Sequence, residues 1–113
     1  MHEYSLVQAL LDRVHREAAA HASTKVRRLW IRIGELSGVE VELLQTAYEM
    51  CRERTICDGA PLEVTRQEAR WACPQCRAEV PRGERLACAV CGTPARLESG
   101  DEIMLDRIEL EVA

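Results

Sequence analysis

Two short cysteine motifs constrain the fold of this chain more than any other feature. Pro-Gln separates Cys73 from Cys76, Ala-Val separates Cys88 from Cys91, and eleven residues lie between the two pairs. Cysteines two residues apart can place both thiolates on one ion, and two such pairs supply a tetrahedron of sulfurs. Soft thiolates in this geometry favour Zn(II). We therefore predict a zinc-ribbon-like insert whose zinc is structural, because protein ligands fill all four positions.

Three other uses of these cysteines compete with zinc: unpaired core thiols, a redox-active dithiol, and a rubredoxin-type iron centre. An iron centre of that type is expected against aromatic side chains, and the segment from Cys73 to Cys91 contains none. Two closely spaced pairs also favour zinc over a free dithiol. Of the two remaining cysteines, Cys51 is interpreted as a buried small hydrophobe, and Cys57 has no assigned role.

Helical periodicity appears first near the N-terminus. It predicts a helix over residues 5–21 that begins with a Ser5–Gln8 capping box. His15 and His21 of this helix are expected to face solvent or to be partly packed rather than to bind a metal. The apolar stripe consists of Val7, Leu10, Leu11, Val14 and Ala18.

A second helix is predicted after a turn bracketed by Gly34 and Gly38. Ser37 and Glu40 have capping-box spacing, and the helix is expected to end near Arg54. Its apolar stripe consists of Leu43, Leu44, Ala47, Tyr48 and Cys51.

Three segments alternate apolar and polar residues with the period of a β-strand: residues 26–33, 61–71 and 108–112. The helix between the first two predicts a right-handed crossover and parallel pairing. The predicted fold class is α+β, a small mixed three-stranded sheet packed with two helices and carrying the four-cysteine insert.

Length and charge limit the functional classes. With 113 residues there is room for one main domain, so we assign residues 1–71 and 97–113 to an α/β domain and residues 72–96 to a zinc-binding domain. A net charge of −4 disfavours nucleic-acid binding. The sequence has no membrane-spanning apolar run and no secretory signal pattern, which predicts a cytoplasmic protein. It also has no nucleophile–base motif or phosphate loop, so we expect no enzymatic activity.

The N-terminus is a second candidate metal site. Met1 and His2 offer three nitrogens in sequence: the α-amine, the backbone amide of His2 and its imidazole Nδ1. Planar nitrogen coordination favours Ni(II) or Cu(II) over Zn(II), and the Glu3 amide or a distant side chain would complete it. A solvated, frayed terminus is the competing interpretation, but the nearby helix favours an anchored site. From the residues alone, Glu40 has two possible roles: capping the second helix or contacting this metal.

Several segments together resemble the HypA/HybF family of hydrogenase-maturation nickel metallochaperones. They lie in matching order over essentially the whole chain. The segments are Met1-His2-Glu3-Tyr4-Ser5-Leu6, Ile33-Gly34-Glu35-Leu36-Ser37-Gly38-Val39, the two cysteine motifs, and Gly100-Asp101-Glu102-Ile103.

The resemblance implies a nickel site at His2, with Met1 and Glu3 nearby and a carboxylate contact from Glu40 in some members. It implies structural zinc on Cys73, Cys76, Cys88 and Cys91. It also implies delivery of Ni(II) to the large subunit of [NiFe] hydrogenase, working with the GTPase HypB; some members also serve urease.

One departure from the family pattern concerns the zinc site. Some members carry a histidine beside each cysteine motif, whereas Arg77 and Gly92 follow the motifs here. We therefore expect a fixed, all-thiolate zinc site. The main rival function is a zinc-ribbon adaptor that binds a protein and transfers no nickel.

Overall fold

A computed structural model describes residues 2–83 and 85–112, and this part of the chain forms two helices and two three-stranded sheets. No helix in these residues is long and apolar enough to cross a membrane. The elements are α1 (His2–Ala20), β1 (Lys25–Gly34), α2 (Val41–Cys51), β2 (Leu62–Gln67), β3 (Arg70–Ala72), β4 (Glu79–Val80), β5 (Arg96–Ser99) and β6 (Ile103–Glu111).

The first sheet has the strand order β2-β1-β6. The central strand β1 runs parallel to β2, with Leu29 opposite Leu62, and antiparallel to β6, with Leu29 opposite Ile108. The parallel pair spans the α2 crossover, as the strand–helix–strand order predicts. The α+β class with a mixed three-stranded sheet and two helices is confirmed.

Buried and more exposed side chains alternate along β1 as predicted, so the helices cover one face of this sheet. Leu29, Ile31 and Ile33 are buried, whereas Arg28 is exposed on the other face and Trp30 is half-buried. Apolar residues from α1, α2, the sheet and the segment between α2 and β2 form one core, and none of its members comes from residues 68–83 or 85–99. The first sheet therefore carries its own hydrophobic core.

Helix α1 begins earlier than predicted. It starts at His2 rather than Ser5, so the Ser5–Gln8 capping box is wrong. Tyr4 lies three residues before the buried Val7 and packs against the same core, which extends the apolar stripe by one turn. Glu3 falls in the first turn, where its charge complements the helix dipole. His2 is therefore held by the helix.

Helix α2 is shorter than predicted and begins differently. It ends at Cys51 rather than near Arg54, and Glu40 is its N-cap residue but makes no side-chain capping bond. Ser37 Oγ accepts a hydrogen bond from the Val39 N–H at 3.4 Å, so the Ser37–Glu40 capping box is also wrong. Two residues of the predicted apolar stripe are less buried than expected: Leu43 is exposed and Cys51 is only half-buried.

The second predicted strand divides into two. Strand β2 ends at Gln67, and Trp71 belongs to β3 in the second sheet, whose order is β4-β3-β5. That sheet draws on residues 70–72 and 96–99, on both sides of the cysteine motifs. The assignment to two domains stays a prediction: one domain of residues 1–71 and 97–113, and one of residues 72–96. The second sheet itself was not predicted, because its strands have only two to four residues and show no measurable periodicity.

Candidate metal centres

Each cysteine pair sits in a turn with the same backbone pattern. In the first turn the Cys73 N–H donates to Ala78 O at 2.9 Å, and the Arg77 N–H donates to Cys73 O at 2.8 Å. Arg77 has a φ of 62°, a left-handed conformation that closes the turn. The second turn repeats these bonds from Cys88 N–H to Thr93 O (2.8 Å) and from Gly92 N–H to Cys88 O (2.9 Å), with Gly92 at φ 72°.

The two turns bring the four predicted cysteines together. Their sulfur atoms all lie within 4.8 Å of one another. Cys91 Sγ is 3.6 Å from the sulfurs of both Cys73 and Cys76. Tetrahedral zinc with Zn–S bonds of about 2.3 Å holds its sulfurs about 3.8 Å apart, so the cluster fits this ion. Cys73 and Cys88 are buried and Cys76 and Cys91 exposed, so one side of the site faces solvent.

Hydrogen bonds within the cluster shift the pKa values of two of its thiols in opposite directions. Hydrogen bonds from the Thr93 hydroxyl and backbone N–H lower the pKa of Cys91 to about 6. Hydrogen bonding to the neighbouring sulfurs, Cys91 first, raises the pKa of Cys76 to about 12. One thiolate thus forms easily while another is suppressed by its neighbours. A divalent metal removes that repulsion, and the donor set fits Zn(II).

The N-terminal candidate site lies where the two helices begin. His2 is the first residue of α1 and is exposed, whereas Met1 lies outside the described residues. Glu3 is half-buried, and its Oε2 accepts a hydrogen bond from the Glu40 N–H at 3.3 Å. Hydrogen bonds from the backbone N–H groups of Glu3 and then Glu40 lower the pKa of Glu3, so the carboxylate is anionic. Glu3 thereby ties the first turn of α1 to the start of α2.

The structure excludes the first of the two roles considered for Glu40, capping of α2 by its side chain. Its side chain makes no capping hydrogen bond to α2, and its backbone N–H is served by Glu3 instead. Glu40 is exposed and lies at the same corner as Glu3. A carboxylate contact between Glu40 and a metal at His2 stays a prediction.

Glu35 lies at the junction of the two sheets and was assigned no role in the sequence. Its Oε1 accepts a hydrogen bond from the Ala69 N–H at 2.6 Å, and both its oxygens accept bonds from the Arg82 guanidinium, with Nη2 to Oε2 at 2.9 Å. Arg82 follows strand β4 of the second sheet, whereas Glu35 directly follows β1 of the first. Glu35 therefore holds the two sheets together.

Two glycines make this junction compact. A Cβ on Gly34 would lie 2.3 Å from the backbone carbonyl of Gly100. A Cβ on Gly100 would lie 2.5 Å from Ala69 Cα, and Gly100 also has a φ of +104°. Both positions exclude side chains, because the links between the two sheets cross here in direct backbone contact.

Acidification should weaken this junction through Glu35. The Arg82 guanidinium and then the Ala69 N–H lower the pKa of Glu35 from 4.5 to about 2. A carboxylate with a lowered folded-state pKa stabilises the protein above its unfolded-state pKa, and that stabilisation is lost as pH falls toward the folded-state value. We expect Glu35→Gln to lower the free energy of unfolding near neutral pH and the gap to the unsubstituted chain to close between pH 4.5 and about 2.

Denaturant unfolding at a series of pH values measures this gap. Glu63→Gln is the matched control, because it removes a carboxylate from an exposed pair with Arg28 at 3.8 Å, a contact that contributes little. A gap for Glu35→Gln that does not change with pH would contradict the assignment.

Fold and site together define a class of protein: a small α+β domain joined to a four-cysteine metal-binding module. Over residues 1–110 the chain matches the family described as HypA, hydrogenase/urease nickel incorporation, metallochaperone. The chain therefore belongs to the HypA family of nickel metallochaperones.

Relatives with this name are similar over their whole length. The hydrogenase maturation factor HypA of Shewanella oneidensis is 40% identical over 115 residues, which cover 100% of this chain and 98% of the relative. The one from Nitrosospira multiformis is 38% identical over 112 residues, 97% of each chain.

Solved structures agree in fold. The solution structure of a HypA protein superposes with a TM-score of 0.83 at 26% identity, covering 98% of this chain and 97% of the other. The solution structure of the nickel metallochaperone HypA from Helicobacter pylori gives a TM-score of 0.76 at 25% identity, covering 96% of each chain.

Proposed function

We propose that this chain binds Ni(II) at its N-terminus through His2 and delivers it for the maturation of [NiFe] hydrogenase. The observation that carries the proposal is the hydrogen bond from the Glu40 N–H to Glu3, because it fixes the first turn of α1 at an exposed corner beside a second carboxylate. Membership of a nickel metallochaperone family supports the choice of metal.

The start of α1 supplies suitable nitrogen ligands. The first backbone N–H groups of a helix have no backbone acceptor within the helix, so the His2 amide can bind a metal without breaking a backbone bond of α1. Binding by the Glu3 amide would replace its hydrogen bond to the Glu3 carboxylate. Together with the α-amine and the His2 imidazole these amides form a planar nitrogen set of the kind that Ni(II) favours. Amine, imidazole and amide must all lose protons, so acid should weaken binding.

Carboxylates offset an unfavourable electrostatic effect at the corner where the two helices begin. Both helices begin here, and the N-terminal end of a helix carries partial positive charge, which opposes a cation. Glu3 and Glu42 lie in the first turns of α1 and α2, and Glu40 immediately precedes α2. Their negative charges offset the two dipoles. An exposed site of this kind also allows nickel to be released stepwise to an acceptor, with no catalytic step by the chaperone.

Zinc on Cys73, Cys76, Cys88 and Cys91 is the second part of the proposal. The spacing of the sulfurs supports it, and the two turns leave no position for a substrate ligand, so the metal would be structural. Residues 72–96 would then be a zinc-binding domain that offers partners a rigid surface. The resemblance suggests a HypB-type GTPase and the [NiFe] hydrogenase large subunit as these partners, in the cytoplasm.

Nickel titration of a histidine variant tests the site. His2→Gln should lose the binding of one Ni(II) per chain, because it removes the imidazole from the chelate. His15→Gln is the matched control, since His15 is also exposed on α1 but lies more than three turns away. Isothermal calorimetry on the zinc-loaded proteins gives the stoichiometry. Equal nickel binding by the unsubstituted chain and both variants would place the nickel elsewhere, and no binding by the unsubstituted chain would favour the zinc-ribbon adaptor.

A further inference from the structure

The four sulfurs of the cysteine cluster differ in what surrounds them. Cys73 and Cys88, the first cysteine of each turn, are buried, whereas Cys76 and Cys91 are exposed. We infer that Cys76 is a modification site for small peroxides and that its oxidation releases the zinc. This inference rests on the zinc binding proposed above and adds to it a reaction at one of the four ligands.

Each buried sulfur accepts a backbone hydrogen bond within its own turn. The Cys76 N–H donates to Cys73 Sγ at 3.3 Å, and the Val90 N–H donates to Cys88 Sγ at 3.4 Å. A hydrogen bond donated to a thiolate stabilises the anion, and a more stabilised thiolate is a weaker nucleophile. Burial also keeps a dissolved oxidant away from these two sulfurs. Both effects therefore protect Cys73 and Cys88.

The two exposed sulfurs differ in the donors that they meet. Thr93 donates to Cys91 Sγ with its hydroxyl, at 3.0 Å, and with its backbone N–H. No hydroxyl or N–H group of residues 2–83 or 85–112 donates to Cys76 Sγ, whose hydrogen-bonding contacts are with the other sulfurs, such as Cys91 Sγ at 3.6 Å. Cys76 thus combines exposure with the least stabilised thiolate of the four.

The sequences of the two turns explain this difference. Ala78 and Thr93 occupy equivalent positions, two residues after the second cysteine of each turn. The carbonyl oxygen of each accepts the N–H of the first cysteine in its turn, at 2.9 and 2.8 Å. Thr93 supplies a hydroxyl at this position and Ala78 supplies none. The first turn therefore leaves its exposed sulfur without a side-chain donor.

The reaction needs a peroxide as its only co-reactant. Zinc binds all four sulfurs as thiolates, the form that attacks peroxides. The Cys76 thiolate attacks one peroxide oxygen, the O–O bond breaks, and the products from hydrogen peroxide are the Cys76 sulfenic acid and hydroxide. The Cys91 thiolate, 3.6 Å away, then attacks the Cys76 sulfur, forms a disulfide and releases a second hydroxide.

The electron count of these two steps accounts for the loss of the metal. Two thiolates give up two electrons in all as they form the disulfide, and one peroxide is reduced to two hydroxides. Zinc then keeps only two of its four thiolate ligands, Cys73 and Cys88, and is released. The second sheet loses the metal that joins its two turns.

Trapping of the sulfenic acid identifies the sulfur that reacts first. The zinc-loaded chain is treated with one equivalent of hydrogen peroxide in the presence of a cyclic 1,3-diketone, which alkylates sulfenic acids. Tandem mass spectrometry then measures the label on each cysteine. A tenfold change in the basicity of a thiolate alters its nucleophilicity about threefold. We therefore expect Cys76 to carry at least about three times the label of Cys91, and Cys73 and Cys88 to carry less than either.

Substitutions at the two equivalent positions test the cause of this order. Thr93→Ala should raise the label on Cys91 toward that on Cys76, whereas Thr93→Ser, which keeps the hydroxyl, should leave it unchanged. Ala78→Thr should lower the label on Cys76, because Ala78 is exposed and a hydroxyl there can donate to that sulfur. Zinc content before oxidation shows that each variant is loaded, and a chromogenic chelator measures the zinc that oxidation releases.

Three results would overturn the inference. They are equal label on all four cysteines, more label on Cys91 than on Cys76, and an order that Thr93→Ala and Ala78→Thr both leave unchanged. The zinc content separates these results from a failure of the proposed zinc site. A chain that holds one zinc but is labelled evenly would overturn the peroxide site alone, whereas a chain that binds no zinc would overturn both.

Discussion

Replacement of Cys73 by serine is expected to release the zinc and unfold the second sheet while the first sheet stays folded. Structural zinc sites contribute on the order of 10–16 kcal/mol of binding free energy, far more than a sheet of this size gains by burial. Ala72 and Val80 are its buried apolar side chains apart from the cysteines, and its strands contain two to four residues. The metal therefore supplies most of the stability of this module.

The first sheet should stay folded without zinc because its hydrophobic core is separate from the second sheet. That core is built from α1, α2, β1, β2 and the segment between α2 and β2, with apolar residues of β6 packed against it and no member from residues 68–83 or 85–99. Loss of the second sheet removes the Arg82 and Ala69 bonds to Glu35, which lie at the surface of the first unit. The remaining unit should be less stable but still cooperative.

Metal analysis with a ¹H–¹⁵N correlation spectrum checks this expectation. Amide signals of residues 70–99 should collapse toward unfolded shifts while those of α1 and β1 stay dispersed. Cys51→Ser is the matched control, because Cys51 is half-buried and outside the quartet, and it should keep one zinc. Retention of zinc by Cys73→Ser, or unfolding of the entire chain, would contradict the account.

The parts of the fold with strong local periodicity were predictable. The alternation in β1 identified its buried face, and the cysteine spacing identified four residues that the structure brings together. Both features depend on short-range spacing along the chain. Two residues separate the cysteines of one turn, and side chains alternate with a period of two along a strand. The parallel pairing of β1 and β2 followed from the helix between them.

Features that depend on distant partners were not predictable. The role of Glu35 requires Arg82, forty-seven positions along the chain, and the Glu40 N–H at the start of α2 is bound by Glu3 on another helix. Each error in a helix start arose because a local capping pattern was preferred over a tertiary contact. A β-bulge in strand β6 at Asp106 places both Leu105 and Ile108 on the core side, which simple alternation cannot do.

Acetylation of the Met1 α-amine is expected to abolish nickel binding. The acetyl group leaves His2, Glu3 and Glu40 in place but removes the amine as a donor, so the fused chelate rings through the amine, the His2 amide and the imidazole can no longer form. Chelation through adjacent nitrogens depends on that amine, and a single imidazole is a weak ligand. The effect should therefore match that of removing the imidazole itself.

A nickel titration of the chain with a free α-amine against the Nα-acetylated chain tests the N-terminal site most directly. We predict one Ni(II) per unmodified chain, with the absorption of planar nitrogen coordination, and no stoichiometric binding by the acetylated chain at equal zinc content. Equal binding by both chains would place the nickel elsewhere and contradict the account.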